Sequence, residues 1–194
     1  MIQLRVALLG VLLCSACTAR EEGRTPDAYE VAPADEPPVI GETAAPQVSS
    51  DDDDLPTEAP PLRVATLSGD TFELDAHRGE VVLVNFWATW CAPCVVEMPD
   101  LVEMQRDFAD RGFTVLGVSV DEGNEEAVRT FVSDMGINYP IAIDLEVGDA
   151  FGGVYGLPTT FVIDRSGRIV HRVIGLFPTE SMRPEIEKLL QERA

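Results

Sequence analysis

Basic residues are scarce in this chain. Its 194 residues include 14 lysines and arginines against 34 aspartates and glutamates, and the net charge is −20 at pH 7. This balance argues against nucleic acid as a partner, because a phosphate-binding face needs clustered positive charge. There are only two histidines, and His77 and His171 lie far apart in the sequence, so we expect neither to be a metal ligand. The apolar fraction of 45% suits one globular domain with extensions.

Cysteine is limited to four residues, which form two pairs with the same Cys-x-x-Cys spacing. The first pair is Cys14 and Cys17, and the second is Cys91 and Cys94. Two redox pairs, one four-cysteine metal site and two unrelated uses of one spacing would all produce this pattern. A zinc site is disfavoured because about 70 residues separate the pairs, far more than in zinc knuckles. We therefore expect no metal.

Long hydrophobic runs are missing, and the apolar run near the N-terminus is short. Arg5 precedes Val6–Leu13, and the small residues Ser15 and Ala16 follow. These are the three regions of a secretory signal peptide. The run is too short for a comfortable transmembrane helix. Residues 1–17 are therefore predicted to be a signal peptide.

The end of this signal resembles that of bacterial lipoproteins, in which a small residue precedes a cysteine that is lipidated and becomes the mature N-terminus. Cys17 fits this pattern because Ser15 and Ala16 precede it, and its lipid would attach the protein to a membrane. The residue three before it is Cys14 rather than the usual Leu, so ordinary signal cleavage near residues 16–19 stays an alternative. If Cys17 is the acceptor, Cys14 is removed with the signal, and a four-cysteine site cannot form.

Residues 18–60 are acidic and rich in proline, with Tyr29 as their one aromatic residue. Such a segment cannot bury enough apolar surface to offset its chain entropy, so it is predicted to be a disordered tether. The run Asp51–Asp54 suggests calcium binding at first sight. We interpret it as a solvated charge run, because consecutive acids lack the spaced ligands of a calcium loop.

Residues 61–194 are predicted to form one α/β domain. Alternation around a Ser-Gly-Asp turn indicates a β-hairpin at 62–77, and the apolar run at 80–88 is typical of a strand buried on both faces. The later elements are a helix from Pro93 to Gly112 that Pro99 would kink or break, a strand at 113–121, a helix at 124–136, an extended piece at 139–144, a helical turn at 149–156, strands at 159–164 and 168–175, and a helix at 179–194. This order implies a mixed central sheet, first parallel and then antiparallel, with helices on both faces.

The sequence WCAPC, residues 90–94, lies directly between a predicted buried strand and a predicted helix. Cys91 would then lie at the helix N-terminus, where backbone N–H groups and the helix dipole favour a thiolate. Pro93 suits the first helical turn because its missing N–H costs nothing there. Cys94, one turn on, would be more covered and able to attack a mixed disulfide at Cys91. A purely structural disulfide is the weaker interpretation, because so short a loop restrains the unfolded chain little.

Two stretches, VVLVNFWATWCAPCVVEMPDL and GLPTTFVIDRSGRIVHRVIG, resemble the membrane-anchored thioredoxins of the TlpA/ResA type, which are thiol–disulfide oxidoreductases. The similarity covers about residues 61–194. It implies a thioredoxin fold with the β-hairpin as an N-terminal extension. It also implies that Cys91 attacks, that Cys94 resolves, and that their redox-active disulfide is the only redox group, with no further cofactor.

The resemblance also assigns residues around the cysteine pair. Pro158 matches the cis-proline loop that faces the pair and holds the substrate chain, with Leu157 and Thr159 beside it. Glu97 matches an acidic residue next to the site in this family. The expected substrate-binding residues are Trp90, Ala92, Pro93, Leu157, Pro158 and Thr159.

One position departs from thioredoxin itself, which carries a buried Asp on the strand before its cysteines. The aligned residue here is Asn85, which cannot accept a proton in that way. Proton transfer at Cys94 must then depend on Glu97, on water or on the substrate. Glu97 could also be a solvated helix residue, because two turns separate it from Cys91. Trp87 is expected to be a core residue.

The resemblance implies an envelope enzyme that reduces disulfides in oxidised exported proteins, with apocytochrome c among its clients and a membrane-bound electron donor. The domain would face the periplasm or another extracytoplasmic space. Two alternatives remain. A peroxiredoxin-like peroxidase is disfavoured because Ala88 stands where that class has Thr or Ser, three residues before its cysteine. A non-catalytic tethered binding module is disfavoured because both Cys91 and Cys94 are present.

Overall fold

The computed structural model describes residues 47–49 and 57–192. The predicted signal peptide, Cys14, Cys17 and the run Asp51–Asp54 lie outside the described residues. The strands are β1 Gln47–Ser49, β2 Arg63–Ala65, β3 Thr71–Glu73, β4 Val81–Trp87, β5 Phe113–Ser119, β6 Ile141–Ile143, β7 Thr159–Ile163 and β8 Ile169–Ile174. The helices are α1 Ala92–Phe108, α2 Glu125–Asp134, α3 Val147–Ala150 and α4 Thr179–Gln191, with short 3-10 turns at Leu74–His77 and Ala109–Arg111.

Six strands form one mixed sheet in the order β1-β8-β7-β4-β5-β6. Strands β4, β5 and β6 are parallel to one another, whereas β7, β8 and β1 are added in antiparallel pairs. The predicted change from parallel to antiparallel pairing is therefore confirmed. All seven residues of β4 are buried, as its continuous apolar sequence predicted.

The two faces of the sheet carry two separate apolar clusters. Because successive residues of a strand point to opposite faces, Leu83 and Trp87 of β4 enter the first cluster and Val84 and Phe86 enter the second. The long helices α1, α2 and α4 all contribute to the first cluster. Among the described residues, the helical contribution to the opposite face comes from the short α3 and from the 3-10 turn Leu74–His77, beside the β2–β3 hairpin. The predicted helices on both faces are present, but they are unequal in length.

The predicted N-terminal hairpin is present as a separate two-stranded sheet of β2 and β3. It joins the edge of the main sheet, since the Leu67 amide donates to the Ile141 carbonyl over 2.7 Å. The described residues include parts of the range predicted as tether. Strand β1 pairs with the edge of β8, and the amide of Ile169 donates to the carbonyl of Thr57 over 3.1 Å. Residues 47–49 and 57 therefore contact the main sheet.

Helix α1 continues through Pro99 to Phe108, so the expected break near Met98 is wrong. Pro99 is exposed, and the carbonyl that it leaves without an amide partner can meet water on that side. The inner side of the same helix buries Met98, Leu101, Met104 and Phe108. Apolar burial along the whole helix outweighs the cost of one missing hydrogen bond. In the part of the chain that the structure describes, no helix is both long enough and apolar enough to span a bilayer.

Candidate active site

The cysteine pair lies where strand β4 gives way to helix α1. Cys91 is the N-cap residue of α1, and Pro93 lies in its first turn. Cys91 and Cys94 form a disulfide with an S–S distance of 2.03 Å. Cys91 is 5% exposed, whereas Cys94 is completely buried. The first cysteine is thus the accessible one, as the strand–helix placement predicted.

The start of α1 supplies a hydrogen bond to the accessible sulfur. The backbone N–H of Cys94 donates to Sγ of Cys91 over 3.3 Å. The first amides of a helix have no partner within it and carry partial positive charge. When the disulfide is reduced, the same amide can stabilise a thiolate on Cys91. Cys94 lies one turn further into the same helix.

The short connection between β4 and Cys91 is fixed by the carboxylate of Asp121. The Thr89 amide donates to its Oδ2 over 2.9 Å, and the Thr89 hydroxyl donates to its Oδ1 over 2.6 Å. The Ser119 hydroxyl also donates to Oδ2 over 2.8 Å. The sequence analysis missed Asp121. Its position directly after a strand parallel to β4 is the signal that could have found it, because such strand ends meet at one edge of a sheet.

The predicted cis-proline loop is confirmed: the Leu157–Pro158 peptide bond is cis. Pro158 and Thr159 are buried and Leu157 is half-buried. The Pro158 carbonyl accepts from the Gly175 amide over 2.8 Å, and the Thr159 hydroxyl donates to the Gly156 carbonyl over 2.7 Å. These bonds fix the backbone of the loop on both sides of the proline.

A groove with a volume of about 630 Å³ opens beside the disulfide. It is lined by Cys91 and by four of the predicted substrate-binding residues, Trp90, Ala92, Pro93 and Leu157. Pro158 and Thr159 are buried and are not part of its lining. Trp90 is 71% exposed whereas Trp87 is fully buried, so the expectation that Trp87 belongs to the core is confirmed.

A further part of the groove lining comes from residues 145–156, of which the sequence analysis described 149–156 only as a helical turn. Its lining residues include Leu145, Gly148, Asp149, Val154, Tyr155 and Gly156. Leu145 and Tyr155 are 54% and 81% exposed. Large apolar side chains in a glycine-containing turn were the signal in the sequence, and they give the groove a mainly apolar surface.

Glu97 points into the protein, with only 2% of its surface exposed, so the interpretation as a solvated helix residue is wrong. It lies one turn after Cys94 on the buried side of α1. Its Oε1 accepts from Nδ2 of Asn85 over 2.7 Å, and its Oε2 accepts from the amide of Phe177 over 2.8 Å. Phe177 was not predicted, since no local pattern links it to a residue 80 positions earlier.

Burial raises the pKa of Glu97 to about 7, because an ionised carboxylate loses its hydration there. The hydrogen bonds from Phe177 and Asn85 oppose this rise, and the nearby charge of Asp100 adds to it. A carboxyl group with a pKa near neutrality can both take up and release a proton under ordinary conditions. Asn85 is itself completely buried and also donates to the Thr160 hydroxyl over 2.9 Å.

Across residues 47–49 and 57–192, no three His, Cys, Asp or Glu side chains are placed to bind a metal ion together. His77 instead approaches Glu80, with Nδ1 2.9 Å from its Oε2, and His171 lies on β8.

The chain is similar in sequence to a known protein family and to named thiol–disulfide proteins. The sequence profile of the AhpC/TSA family matches residues 56–172. The chain is 37% identical over 135 residues to the thiol-disulfide oxidoreductase ResA of Bacillus thuringiensis (strain Al Hakam), covering 68% of this chain and 76% of that protein. It is 36% identical over 138 residues to the thiol:disulfide interchange protein HelX of Rhodobacter capsulatus, covering 69% and 75%.

Solved structures agree with these sequence relatives. A thioredoxin-family thiol:disulfide interchange protein from Chlorobium tepidum TLS superposes with a TM-score of 0.64 at 36% identity. The match covers 70% of this chain and 97% of that one. A DsbF homologue from Corynebacterium diphtheriae superposes with a TM-score of 0.66 at 27% identity, covering 77% and 95%. The matches thus span most of each relative.

Proposed function

Because the chain belongs to the AhpC/TSA family and is a thioredoxin-like thiol–disulfide oxidoreductase of the ResA type, we propose that it reduces disulfides in oxidised exported proteins. The observation that carries this proposal is the asymmetry of the cysteine pair. Cys91 lines an open apolar groove beside the cis-proline loop, whereas Cys94 is completely buried. A client can therefore reach one sulfur only, as a mixed-disulfide mechanism requires.

In the reduced enzyme, the Cys91 thiolate attacks one sulfur of the client disulfide. An S–S bond forms between Cys91 and the client while the client's own S–S bond breaks, and the second client cysteine leaves as a thiolate that takes up a proton. Cys94 then loses its proton and attacks Cys91. This second step releases the reduced client and leaves the Cys91–Cys94 disulfide. Two electrons pass to the client in each cycle, and no cofactor other than this disulfide takes part.

Glu97 is proposed as the group that exchanges a proton with Cys94. Both side chains are buried one turn apart on α1, and the pKa of Glu97, raised to about 7 mainly by burial, lies between that of an ordinary carboxyl and that of a thiol. Asn85 cannot exchange a proton with Cys94, since an amide does not titrate. Its contribution is to orient the carboxyl through the 2.7 Å hydrogen bond.

Reduction outside the cytoplasm needs electrons from another protein, because exported compartments are oxidising. We propose a membrane-bound dithiol donor that reduces the Cys91–Cys94 disulfide after each cycle. Apocytochrome c, whose haem-binding cysteines must be reduced, is the client class that the resemblance to TlpA/ResA proteins favours. The apolar groove supports an extended protein segment as the substrate rather than a small charged disulfide.

Attachment to the membrane would follow from lipidation of Cys17, with the domain in the bacterial periplasm or another extracytoplasmic space. The acidic, proline-rich sequence after Cys17 supports this proposal, since it provides a tether between anchor and domain. Mass spectrometry of the mature N-terminus tests it. We expect a lipidated Cys17 with Cys14 absent, and a Cys14–Cys17 disulfide in the mature chain would contradict it.

The central experiment combines the reduction potential of the Cys91–Cys94 couple with trapping of clients in Cys94→Ala. We expect mixed disulfides through Cys91 in this variant and none in the matched variant Cys91→Ala. Iodoacetamide should alkylate reduced Cys91 faster than Cys94 near neutral pH. Faster reaction of Cys94 would reverse the two roles, and a pair without a defined two-electron potential would favour the binding-module alternative.

Glu97→Gln separates the proton-transfer role from the rest of the mechanism. The variant should slow disulfide exchange and remove the inflection near pH 7 from its pH profile, because glutamine does not titrate. Exchange rates equal to those of the unmodified protein at every pH would assign the proton to water. Consumption of hydrogen peroxide faster than that of peptide disulfides would favour the peroxidase alternative.

A further inference from the structure

The groove wall formed by Gly153–Leu157 is held beside strand β8 near both of its ends. Just after its C-terminal end, the amide of Gly175, the residue that follows β8, donates to the Pro158 carbonyl over 2.8 Å. At its N-terminal end, Nη2 of Arg172 donates to the Gly153 carbonyl over 3.1 Å. The first contact joins backbone to backbone, whereas the second depends on a side chain. A substitution at Arg172 can therefore release one end of the wall and leave the cis-proline end in place.

Arg172 is an unusual residue for its position, because it is charged and only 7% exposed. Its guanidinium carbon lies 5.4 Å from the ring centroid of Tyr155 and 5.8 Å from that of Phe161. Phe161 belongs to the apolar cluster beneath the groove, whereas Tyr155 is 81% exposed. The guanidinium thus connects the core to the outermost aromatic side chain of the groove, and such cation–π contacts strengthen where water is excluded.

Gly153 lies against the ring of Tyr155. Its φ is +92°, a conformation that residues with a Cβ rarely adopt. A Cβ added there would lie 2.9 Å from the Tyr155 ring, so the ring packs directly against the Gly153 backbone. Tyr155 is therefore in contact with Gly153 and with Arg172, and most of the rest of its surface faces solvent at the groove.

We propose that Arg172 is a positioning residue for client binding, which fixes Tyr155 and the Gly153–Leu157 wall so that an apolar side chain next to the client's reacting cysteine finds a preformed surface. The proposal rests on the proposed function, since it assumes that the groove holds the client. Its physical basis is preorganisation: ordering a mobile wall at the moment of binding would reduce the affinity. The preferred client has an aromatic or large aliphatic residue beside its disulfide cysteine.

The test compares Arg172→Met with Arg63→Met, which removes the same charge from an exposed position on β2. Two substrates are used, a short peptide disulfide with phenylalanine next to one cysteine and the same peptide with serine there. We expect Arg172→Met to raise KM for the phenylalanine peptide about tenfold, to raise KM for the serine peptide much less, and to affect kcat little. Arg63→Met should leave both KM values unchanged. Equal changes in KM for the two peptides would overturn the proposal.

A second pair of variants protects the test against misfolding of Arg172→Met. Tyr155 is exposed, so Tyr155→Ala should fold normally. It should weaken binding of the phenylalanine peptide by a similar factor. Tyr155→Phe keeps the ring and should recover most of that loss. If Tyr155→Ala binds the phenylalanine peptide as tightly as the unmodified protein does, the wall has no such role and the proposal is wrong.

Binding is measured by calorimetry with the S-methylated dithiol form of each peptide, so that affinity is obtained without turnover. This measurement separates a failure of the proposed function from a failure of the proposed role of the wall. An unmodified protein that binds the phenylalanine peptide in preference to the serine peptide but reduces neither disulfide would contradict the proposed function and support the role of the wall. Normal turnover with no preference between the peptides would contradict the role of the wall alone.

Discussion

The buried carboxyl group of Glu97 should make the stability of the oxidised protein depend on pH. Glutamine is nearly the same size as glutamic acid but does not titrate. In Glu97→Gln, its oxygen can still accept from the Phe177 amide. Its NH₂ faces Nδ2 of Asn85, and it can donate to Oδ1 of Asn85, which has no hydrogen-bond partner within the described residues, once the Asn85 amide turns over. The substitution therefore removes the titration while the hydrogen bonds can be re-formed.

The sign and size of the effect follow from the pKa of Glu97. Burial, opposed in part by hydrogen bonds from Phe177 and Asn85, raises it from 4.5 to about 7. Below about pH 4.5 the carboxyl is protonated in both the folded and the unfolded chain, so its burial then does not lower the free energy of unfolding through ionisation. As the pH rises towards 7, the unfolded chain releases this proton first, so the free energy of unfolding falls. The full loss, reached above pH 7, is about 3 kcal/mol.

Urea unfolding followed by far-UV circular dichroism, at about pH 4 and at about pH 8, measures this difference. We expect Glu97→Gln and the unmodified protein to be similarly stable at the lower pH and the variant to be more stable by up to about 3 kcal/mol at the higher pH. The matched control is Glu103→Gln, since Glu103 is on the same helix with 55% of its side chain exposed. Equal pH dependence in the unmodified protein and Glu97→Gln would refute the reasoning.

Two further predictions concern the surroundings of the site. Asp121→Ala leaves the amide and hydroxyl of Thr89 without their acceptor. It should therefore lower the free energy of unfolding by about 1–3 kcal/mol and slow disulfide exchange. Urea unfolding and exchange kinetics equal to those of the unmodified protein would contradict this prediction. Gly117→Ala places a Cβ 2.5 Å from Cδ1 of Ile141, and we expect it to cost about 1–3 kcal/mol by overpacking. In Gly156→Ala the nearest atom would be 3.8 Å away, so equal losses of stability in the two alanine variants would show that this steric argument fails.

Local patterns in the sequence were sufficient to predict the secondary structure that carries the cysteines. The apolar run at 80–88 predicted a buried strand, and β4 is buried throughout. Cys91 was placed at a helix N-terminus because WCAPC follows that strand directly, and it is the N-cap of α1. The cis bond at Pro158 came from the resemblance to a known family, since proline alone does not determine the isomer.

Where local rules compete with packing, the sequence was a poorer guide. Pro99 predicted a kink or a break in α1, and the break is absent because the helix runs on to Phe108. Helices were expected on both faces of the sheet, but the sequence did not indicate that all three long helices contribute to one apolar cluster. Both outcomes depend on which surfaces meet in the folded chain, and helix propensity at one residue carries less free energy than the burial of a whole helix face.

The sequence by itself determined that Cys91 lies at the start of a helix and that Cys94 lies one turn inside it, because the start of this helix is encoded by their immediate neighbours. Only the tertiary structure decided how Glu97 titrates and how the groove wall is attached. The pKa of Glu97 depends on burial against Asn85 and on the amide of Phe177, 80 residues away. The position of the Tyr155 ring likewise depends on its contact with the guanidinium of Arg172 on β8. Hydration, charge and ring contacts of this kind act over a few ångströms in space, and only the packing of the sheet brings these residues within that distance.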